Sequence, residues 1–306
     1  MDSLILSIDS HEVKISNPRK ILWPERKISK MDYIHYLMQI EGYLLPYARD
    51  RFLMMWCYPD GIYNKRIVRK ALPTHAPDYV ERASYKDKQW ILLNNRATLA
   101  WVGNLASLEL HATFARHYQL DYPTELVFDL DPMEQNNFTG VLEVALDLKN
   151  VLDSLSLFSL AKTSGATGIQ VHVPITPKYT FKQVRQISRF IAEYMVNKYP
   201  QKITIDRTIE RRGKKLYFDY LQLWKMKTIP LPYSVRARQE GTVAIPVTWE
   251  EIKAGFSPLD FTMDTVSQRL RDMGDLFGPL TREKNRYEEK LDDILCFIEK
   301  RVPKVH

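Results

Sequence analysis

The sequence predicts a mixed α/β (α+β) fold, with strands and helices interspersed along all 306 residues. Three observations support this prediction. Short apolar runs typical of buried strands intermix with longer segments that have apolar residues at helical spacing. Turns containing glycine or proline separate many of these segments. Several successive strands can pair antiparallel, which favours mixed or antiparallel sheets flanked by helices over a doubly wound parallel sheet.

The first half of the chain begins with a clear helix start. Ser29 followed by Asp32 is typical of a capped N-terminus, and we expect the helix to continue until Pro46. Residues 52–56 have a strand pattern that ends at the turn Tyr58-Pro59-Asp60-Gly61. The other elements expected in this half are a helix over residues 96–105 and a short strand over residues 108–112.

In the second half, the buried-strand pattern Glu125-Leu126-Val127-Phe128 leads directly into Asp129-Leu130-Asp131-Pro132. The turn Ser164-Gly165-Ala166-Thr167 predicts a hairpin, and Thr180 with Gln183 predicts a helix that begins with a capping box. The expected elements are helices over residues 139–155 and 180–199, and strands over residues 158–162, 168–173 and 214–221.

The composition is that of a globular protein with a large core. Hydrophobic residues make up 45% of the chain, and no linker rich in proline, glycine or serine divides it. We therefore predict a single catalytic domain over residues 1–306, with room for two intimately packed lobes, and a helical C-terminal part over about 262–300. No apolar stretch has the length of a membrane span, and no signal peptide is evident. Two widely separated cysteines fit reduced thiols, so we expect a cytoplasmic protein without membrane partners.

A net charge of +7 suits a polyanionic partner without proving one. The basic residues form three clusters: Arg19, Lys20, Arg26, Lys27 and Lys30; Lys65, Arg66, Arg69 and Lys70; and Arg207, Arg211, Arg212, Lys214 and Lys215. Interspersed Tyr and Trp residues are what stacking on bases would require. Taken singly, each cluster is better explained as a solvated charged face.

Asp129 and Asp131 stand two residues apart, so a strand would place both carboxylates on one face. Two like charges held together need a positive partner, and Mg²⁺ or Mn²⁺ prefers such oxygen ligands. The alternative is a polar strand end at which Asp131 caps a turn. Asp219 lies in an apolar and aromatic strand pattern, where a carboxylate needs a partner. That partner is either the same metal site or a nearby arginine.

Other residues suggest phosphate binding, although each has a simpler explanation. Backbone N–H groups of the turn that begins at Ser164 could approach a phosphate, or the turn could be an ordinary hairpin connection. Gln170 and His172 alternate along one strand face, where they could grip a triphosphate. Arg236 could clamp a phosphate or pair with a surface carboxylate, and His111, taken alone, is better explained as a structural histidine.

Short motifs occur in a fixed order along the chain. They are Asn17-Pro18-Arg19-Lys20 with Lys30; Tyr58-Pro59-Asp60-Gly61 with Lys70; Glu109-Leu110-His111; Phe128-Asp129-Leu130-Asp131-Pro132; Thr163-Ser164-Gly165; His172-Val173-Pro174; Asp219-Tyr220-Leu221-Gln222; and Pro232-Tyr233-Ser234-Val235-Arg236. Together they resemble the polymerase domain of bacterial ligase D, in the archaeo-eukaryotic primase superfamily. The resemblance extends from about residue 15 to residue 251 and implies a primase-polymerase catalytic core.

The resemblance implies DNA-dependent addition of nucleotides, usually ribonucleotides, to a 3′ end with Mn²⁺ or Mg²⁺ as cofactor. It further implies a nucleoid-associated role in double-strand break repair by non-homologous end joining, with Ku and an ATP-dependent DNA ligase as partners. The implied metal ligands are Asp129, Asp131 and Asp219. The resemblance implies nucleotide contacts by His111, Ser164 and Arg236, and the motif residue Lys70 is a further candidate. Gln170 and His172, on the strand that follows Ser164, complete the set of candidate nucleotide-binding residues. Lys20 and Lys30 match the positions that recognise the 5′-phosphate of a DNA end or gap.

The chain departs from the family pattern at several positions. Thr167 and Gln170 stand where the family usually has lysine and histidine, and Cys57 replaces a basic residue. Ile67-Val68 replaces an aromatic pair, and Leu223 replaces an asparagine. Because the three carboxylates are unaffected, we expect an active enzyme with altered nucleotide handling. The alternatives are a stand-alone primase that makes short RNA primers, a non-catalytic module that binds DNA 5′-phosphate ends, and a two-metal nuclease.

Overall fold

A computed structural model describes residues 2–134, 137–282 and 288–301. The strands in chain order are β1 (Ser3–Ile8), β2 (His11–Ser16), β3 (Ile21–Trp23), β4 (Ile28–Ser29), β5 (Leu53–Cys57), β6 (Ile67–Arg69), β7 (Arg82–Tyr85), β8 (Lys88–Ile91), β9 (Ser107–Thr113), β10 (Glu125–Asp131), β11 (Leu160–Thr163), β12 (Ile169–Pro174), β13 (Ile203–Thr204), β14 (Leu216–Asp219), β15 (Thr228–Pro230) and β16 (Pro246–Val247). The α-helices are α1 (Lys30–Gln39), α2 (Glu41–Ala48), α3 (Arg96–Asn104), α4 (Phe138–Ser154), α5 (Phe181–Lys198), α6 (Ile209–Arg212), α7 (Trp249–Ala254), α8 (Met263–Met273), α9 (Pro279–Arg282) and α10 (Glu288–Arg301), and a 3₁₀ turn spans Pro258–Asp260. None of the helices described here is long and apolar enough to cross a membrane.

The chain divides into two compact units. The first unit comprises Met1–Tyr118, Thr228–Ile245 and Leu259–Asp275, and the second comprises Gln119–Lys227, Pro246–Pro258 and Leu276–His306. The first unit contains an antiparallel sheet in the order β15-β9-β5-β6, together with the strand pairs β1-β2, β3-β4 and β7-β8. The predicted mixed α/β fold with mixed and antiparallel sheets is therefore confirmed.

The second unit contains one sheet in the order β13-β14-β10-β12-β11-β16. Its strands are antiparallel, except that β13 runs parallel to β14. Phe128, Leu130 and Val171 are fully buried on one face of this sheet, and α4 and α5 contact its central strands. Because period 2 sends alternate side chains to the opposite face, this packing leaves Asp129, Asp131 and Gln170 on the other side.

Local signals predicted several elements correctly. Ser29 and Asp32 form the capping box of α1, and Thr180 and Gln183 form that of α5. The turn from Tyr58 to Gly61 closes through a backbone hydrogen bond of 3.0 Å. The predicted hairpin is formed by β11 and β12.

Other predictions need correction. The helix expected to run until Pro46 is two helices, because the backbone leaves helical geometry at the buried residue Ile40 and a second helix then includes Pro46. The strand pattern at residues 125–128 continues through Asp131, because β14 pairs with β10 as far as that residue. The strand expected over residues 214–221 covers only Leu216–Asp219, and α6 precedes it.

The predicted helical part over about 262–300 contains α8, α9 and most of α10. Residues 283–287 of that range lie outside the described residues.

Candidate active site

One face of the sheet in the second unit carries polar side chains in register across four adjacent strands. Lys162 of β11 lies opposite Gln170 of β12, Gln170 lies opposite Asp129 of β10, and Asp129 lies opposite Asp219 of β14. Directly opposed residues of antiparallel strands point to the same side of a sheet. We call these four residues the polar row. Asp131, two residues beyond Asp129 on β10, lies on the same face.

Asp129 is a carboxylate in an unfavourable electrostatic environment. Its Oδ1 atom is shielded from solvent and has no hydrogen-bond partner among the described residues. Burial, followed by the negative charges of Asp131 and Asp219, raises the pKa of Asp129 well above its usual value, against the opposing hydrogen bond from Gln170. The charge of Lys162 offsets this effect only in part, so a hard divalent cation would supply further positive charge and a partner for the orphaned oxygen. The pair Asp129 and Asp131 therefore has the chemistry of a divalent-metal site.

Asp219 lies opposite Asp129, as a third ligand would require, but its carboxylate is engaged locally. Its Oδ1 atom accepts hydrogen bonds from the Leu221 backbone N–H at 2.8 Å and from the Tyr217 hydroxyl at 3.3 Å. Among the described residues, no arginine lies within salt-bridge distance of Asp219, although its charge acts on Arg185 in the adjoining groove. Across residues 2–134, 137–282 and 288–301, no group of three or more His, Cys, Asp or Glu side chains is arranged to hold an ion. Asp219 as a metal ligand therefore remains a prediction.

Lys162 is a buried cation that the sequence analysis missed. Its side chain has no solvent exposure, and its Nζ atom donates a hydrogen bond to Gln170 Oε1. This bond leaves the Gln170 amide N–H group to face Asp129, with which Gln170 is also hydrogen-bonded. A lysine next to Leu160 and Ala161 in a strand pattern was the available signal, because a buried lysine requires a polar partner.

The turn between β11 and β12 is closed by its own serine. Ser164 Oγ accepts hydrogen bonds from the backbone N–H groups of Ala166 at 3.2 Å and Gly168 at 3.0 Å. Two of the N–H groups considered for phosphate binding are thus engaged within the turn. At Gly168, a Cβ atom would lie 2.5 Å from the Leu130 carbonyl oxygen and 3.1 Å from Asp131 Oδ1. The close approach of β12 to the carboxylate end of β10 therefore requires glycine at this position.

His172 follows Gln170 on the same strand face and is buried. Its Nδ1 atom lies 2.8 Å from Glu125 Oε2, and the edge of its ring faces Phe277 at 5.1 Å. These contacts fix the orientation of the His172 ring on the strand, and its role in nucleotide binding stays a prediction. Glu125, which the sequence analysis did not single out as a partner, could have been noticed as a charged residue at the start of an apolar strand.

A basic groove lies next to Asp219 in the second unit. It has a volume of 430 Å³ and is lined by Arg185, Arg207, Arg212, Tyr217, Asp219, Leu221, Trp224 and Lys227. Two of its arginines stack on aromatic rings: Arg185 lies 3.7 Å from the centre of Trp224, and Arg212 lies 3.6 Å from that of Tyr217. Alternating cations and rings suit a nucleic-acid strand. The basic cluster in the sequence included Arg207 and Arg212, but Arg185 comes from α5 and was missed.

In the first unit, Glu109 contacts both His111 and Arg236, which the sequence analysis had considered separately. Its Oε2 atom lies 2.9 Å from Arg236 Nε and 3.2 Å from His111 Nε2, and its Oε1 atom accepts a hydrogen bond from the Ala237 backbone N–H at 3.2 Å. The contact with Arg236 is an ion pair whose N–H group is not aligned for a hydrogen bond. The carboxylate partner expected for Arg236 as an alternative thus exists, but it is buried and not on the surface.

Burial alone would raise the pKa of Glu109, but the hydrogen bond from His111 and the charge of Arg236 outweigh burial and lower the pKa. Glu109→Gln should therefore reduce the free energy of unfolding by about 2 kcal/mol at neutral pH, because the two basic groups lose their carboxylate. The pKa of Glu109 is lower in the folded protein than its ordinary value of 4.5. The carboxylate therefore contributes its full stabilisation at pH values above 4.5, and this contribution is lost as the pH falls through the folded-state pKa. Urea unfolding at a series of pH values should show the difference between wild type and variant shrinking on acidification. A difference that grew in acid would contradict this assignment.

Lys20 and Lys30 of the first unit lie on adjacent backbone segments, joined by a hydrogen bond of 2.8 Å from Lys30 N–H to the Lys20 carbonyl. Lys20 Nζ pairs with Asp60 at 2.6 Å, whereas the buried Lys30 Nζ donates to the Ser16 carbonyl at 2.6 Å. Burial, followed by the charge of Lys20, lowers the pKa of Lys30. Two cations that disfavour each other would gain from a shared anion.

Lys70 is exposed and lines a separate groove of 530 Å³ with Arg69, Lys88 and Trp90.

The mixed α/β architecture described above is that of a primase-polymerase domain. Residues 29–277 match the family model described as LigD, primase-polymerase domain, and the chain belongs to this family. The resemblance inferred from the ordered motifs is confirmed.

Named relatives agree with this assignment. The chain is 36% identical over 283 residues to the bifunctional non-homologous end joining protein LigD of Bacillus subtilis, a match that covers 92% of this chain and 46% of that protein. It is 32% identical over 274 residues to the multifunctional non-homologous end joining protein LigD of Mycolicibacterium smegmatis, covering 88% and 36%. The chain thus spans less than half the length of these curated relatives.

Among solved structures, the chain is similar to the polymerase domain of Mycobacterium tuberculosis ligase D in complex with DNA. The TM-score is 0.82 at 26% sequence identity, and the match covers 89% of this chain and 99% of that domain.

Proposed function

We propose that this chain is a DNA-dependent nucleotidyltransferase that adds nucleotides, preferentially ribonucleotides, to a 3′ end at gaps or breaks during non-homologous end joining. The observation that carries the proposal is the pair Asp129 and Asp131, held on a sheet face with an orphaned buried oxygen. Membership in the LigD primase-polymerase family supports the reaction class. The basic groove beside Asp219 supports a nucleic-acid substrate.

We assign the metal-binding role to Asp129, Asp131 and Asp219, with Mn²⁺ or Mg²⁺ as the cofactor. Divalent ions bound there would neutralise substrate phosphates and activate the attacking 3′-hydroxyl group in a two-metal reaction. Gln170 faces Asp129 from the adjacent strand β12, and Lys162 of the next strand, β11, holds Gln170 in place. The row is thereby preorganised, which reduces the reorganisation that catalysis would otherwise require.

The remaining site residues are assigned to substrate binding. Arg236 and His111 would contact the phosphates of the incoming nucleotide, and Glu109 would fix both side chains. We further assign nucleotide contacts to Ser164 and Lys70, which match the family pattern, and to Gln170 and His172, which lie on one face of the strand that follows Ser164. Ku and an ATP-dependent DNA ligase would be the partners, in a cytoplasmic, nucleoid-associated setting.

The test is extension of a primer on a gapped duplex, with and without a 5′-phosphate, using each metal and each sugar. The proposal expects incorporation that increases with the 5′-phosphate. Synthesis without a primer, and without any effect of the phosphate, would favour the primase. Binding of the phosphorylated end without incorporation would favour a non-catalytic module.

Lys20→Ala should reduce the preference for a 5′-phosphorylated gap roughly tenfold, because a charge-assisted contact with a phosphate is lost. Asp60→Asn removes the carboxylate with which Lys20 Nζ pairs and keeps the lysine, so its effect on phosphate binding should be opposite to that of Lys20→Ala. It should strengthen binding of the phosphorylated end by releasing Lys20. Both effects can be measured as affinity for gapped duplexes with and without the phosphate. Equal losses on both duplexes would assign Lys20 to general DNA binding.

A further inference from the structure

Trp56, on β5 of the first unit, is the common neighbour of three basic side chains. Its ring stacks on that of His111, with the ring centres 4.8 Å apart and the planes inclined by 23°. The guanidinium carbon of Arg66 lies 3.9 Å from the centre of the Trp56 ring, and that of Arg236 lies 5.9 Å from it. We call Trp56 with Arg66, His111 and Arg236 the Trp56 cluster. Its members come from β5, the segment before β6, β9 and the chain after β15.

The charges within this cluster do not balance. Glu109 is the carboxylate that pairs with both Arg236 and His111. Arg66 has no carboxylate partner among the described residues, and its contacts are the Trp56 ring and the Tyr58 hydroxyl. The guanidinium of Arg66 therefore adds a positive charge without a carboxylate of its own to the pair that we assign to nucleotide binding.

Apart from the donor that faces the Tyr58 hydroxyl, the way in which Arg66 is held leaves its N–H groups available. A guanidinium stacked on an indole ring gains from the ring electrons and keeps the N–H groups at its edge free. The side chain of Arg66 is exposed, so a ligand can reach it. Planar guanidinium groups bind phosphate through two parallel hydrogen bonds, which a lysine does not reproduce.

We propose that Arg66, positioned by Trp56, is a further phosphate-binding residue for the triphosphate of the incoming nucleotide. This inference rests on the proposed function of His111 and Arg236, and it deepens that function by adding a residue outside the ordered motifs. A basic residue held on Trp56 would also compensate for Cys57, which stands where the family pattern has a basic residue.

The experiment compares Arg66→Ala, Arg66→Lys and Lys65→Ala with the wild type. Lys65→Ala is the matched control, because it removes the same charge from the adjacent exposed residue. Binding of inorganic tripolyphosphate and of a nucleoside triphosphate is measured by titration calorimetry, and KM and kcat are measured in primer extension. Thermal unfolding verifies that the variants fold as the wild type does.

Arg66→Ala should weaken the binding of both ligands and raise the KM for nucleotide roughly tenfold, with kcat changed by less than about twofold. Arg66→Lys should recover only part of the loss, and Lys65→Ala should behave like the wild type. The proposal is overturned if Arg66→Ala and Lys65→Ala have equal effects, or if Arg66→Ala weakens DNA binding and leaves nucleotide affinity intact. The protein could also fail to extend primers while its tripolyphosphate binding still depends on Arg66. That result would refute the proposed function but would support Arg66 as a phosphate-binding residue.

Discussion

Asp129→Asn is expected to reduce nucleotide incorporation by roughly 1000-fold or more, because several kcal/mol of charge stabilisation at the reacting phosphate depend on the ion that this residue would hold. The substitution preserves size and removes one negative charge from a sheet face where Asp131 and Asp219 are close. Single-nucleotide extension with Mn²⁺ on a gapped duplex measures the effect.

The same substitution should raise the thermal stability of the metal-free protein. Burial and the neighbouring carboxylates oppose ionisation of Asp129, so a neutral amide relieves a cost that the wild type carries without metal. We expect a midpoint higher by on the order of 2 °C, together with loss of the stabilisation that Mn²⁺ gives the wild type. If activity falls while the midpoint of thermal unfolding rises, the defect is due to loss of a metal ligand and not to damage to the fold.

Asp153→Asn is a suitable control for this experiment. Asp153 lies in α4 of the same unit and forms an exposed ion pair with Lys149, one helical turn away. Loss of a surface ion pair within a helix changes stability only slightly, and incorporation should remain at the wild-type level. Equal incorporation by wild type and Asp129→Asn would overturn the assignment of the reaction to this sheet face.

Gly168→Ala is the second change with a large expected effect. The new methyl group would lie 2.5 Å from the Leu130 carbonyl oxygen, which belongs to the backbone of β10 and cannot rotate away. Forcing β10 and β12 apart should cost about 1–3 kcal/mol of folding free energy. It should also displace Asp131, whose Oδ1 atom would lie 3.1 Å from the same methyl group. Misplacement of a reacting group by about 1 Å can reduce the rate roughly 100-fold.

Gly42→Ala is the matched control. Gly42 lies in α2, and a Cβ atom there meets no other atom within 4 Å. Alanine also has the higher helix propensity, so this variant should be as stable as the wild type or slightly more stable. Thermal unfolding and primer extension on both variants measure the two effects. Wild-type stability and activity for Gly168→Ala would mean that the close approach of β12 to Asp131 has no functional importance.

The features that the sequence predicted correctly were those determined by nearby residues. The capping boxes at Ser29 and Thr180 and the hairpin around Gly165 depend on spacings of a few positions. The end of α1 at Ile40 was not predicted, because burial of that side chain in the core overrides the local helical pattern.

Prediction of the candidate site from the sequence was limited in the same way. The two-residue period of a strand is enough to predict that Asp129 and Asp131 share one face. The partners of the site residues depend on strand register over long sequence separations, so Lys162 beside Gln170 and Glu125 beside His172 emerged only from the sheet. Arg236 and Glu109 likewise come from distant segments and required the folded first unit.

The polar row also has a consequence for substitutions at position 170. Gln170 accepts a hydrogen bond from Lys162 and donates one towards Asp129, so one amide serves two neighbours of opposite charge. A histidine at this position, as in the family pattern, would offer an imidazole ring in place of that amide. The effect of exchanging residue 170 is therefore expected to depend on whether residue 162 is lysine. A double-mutant cycle over positions 162 and 170 would measure this coupling.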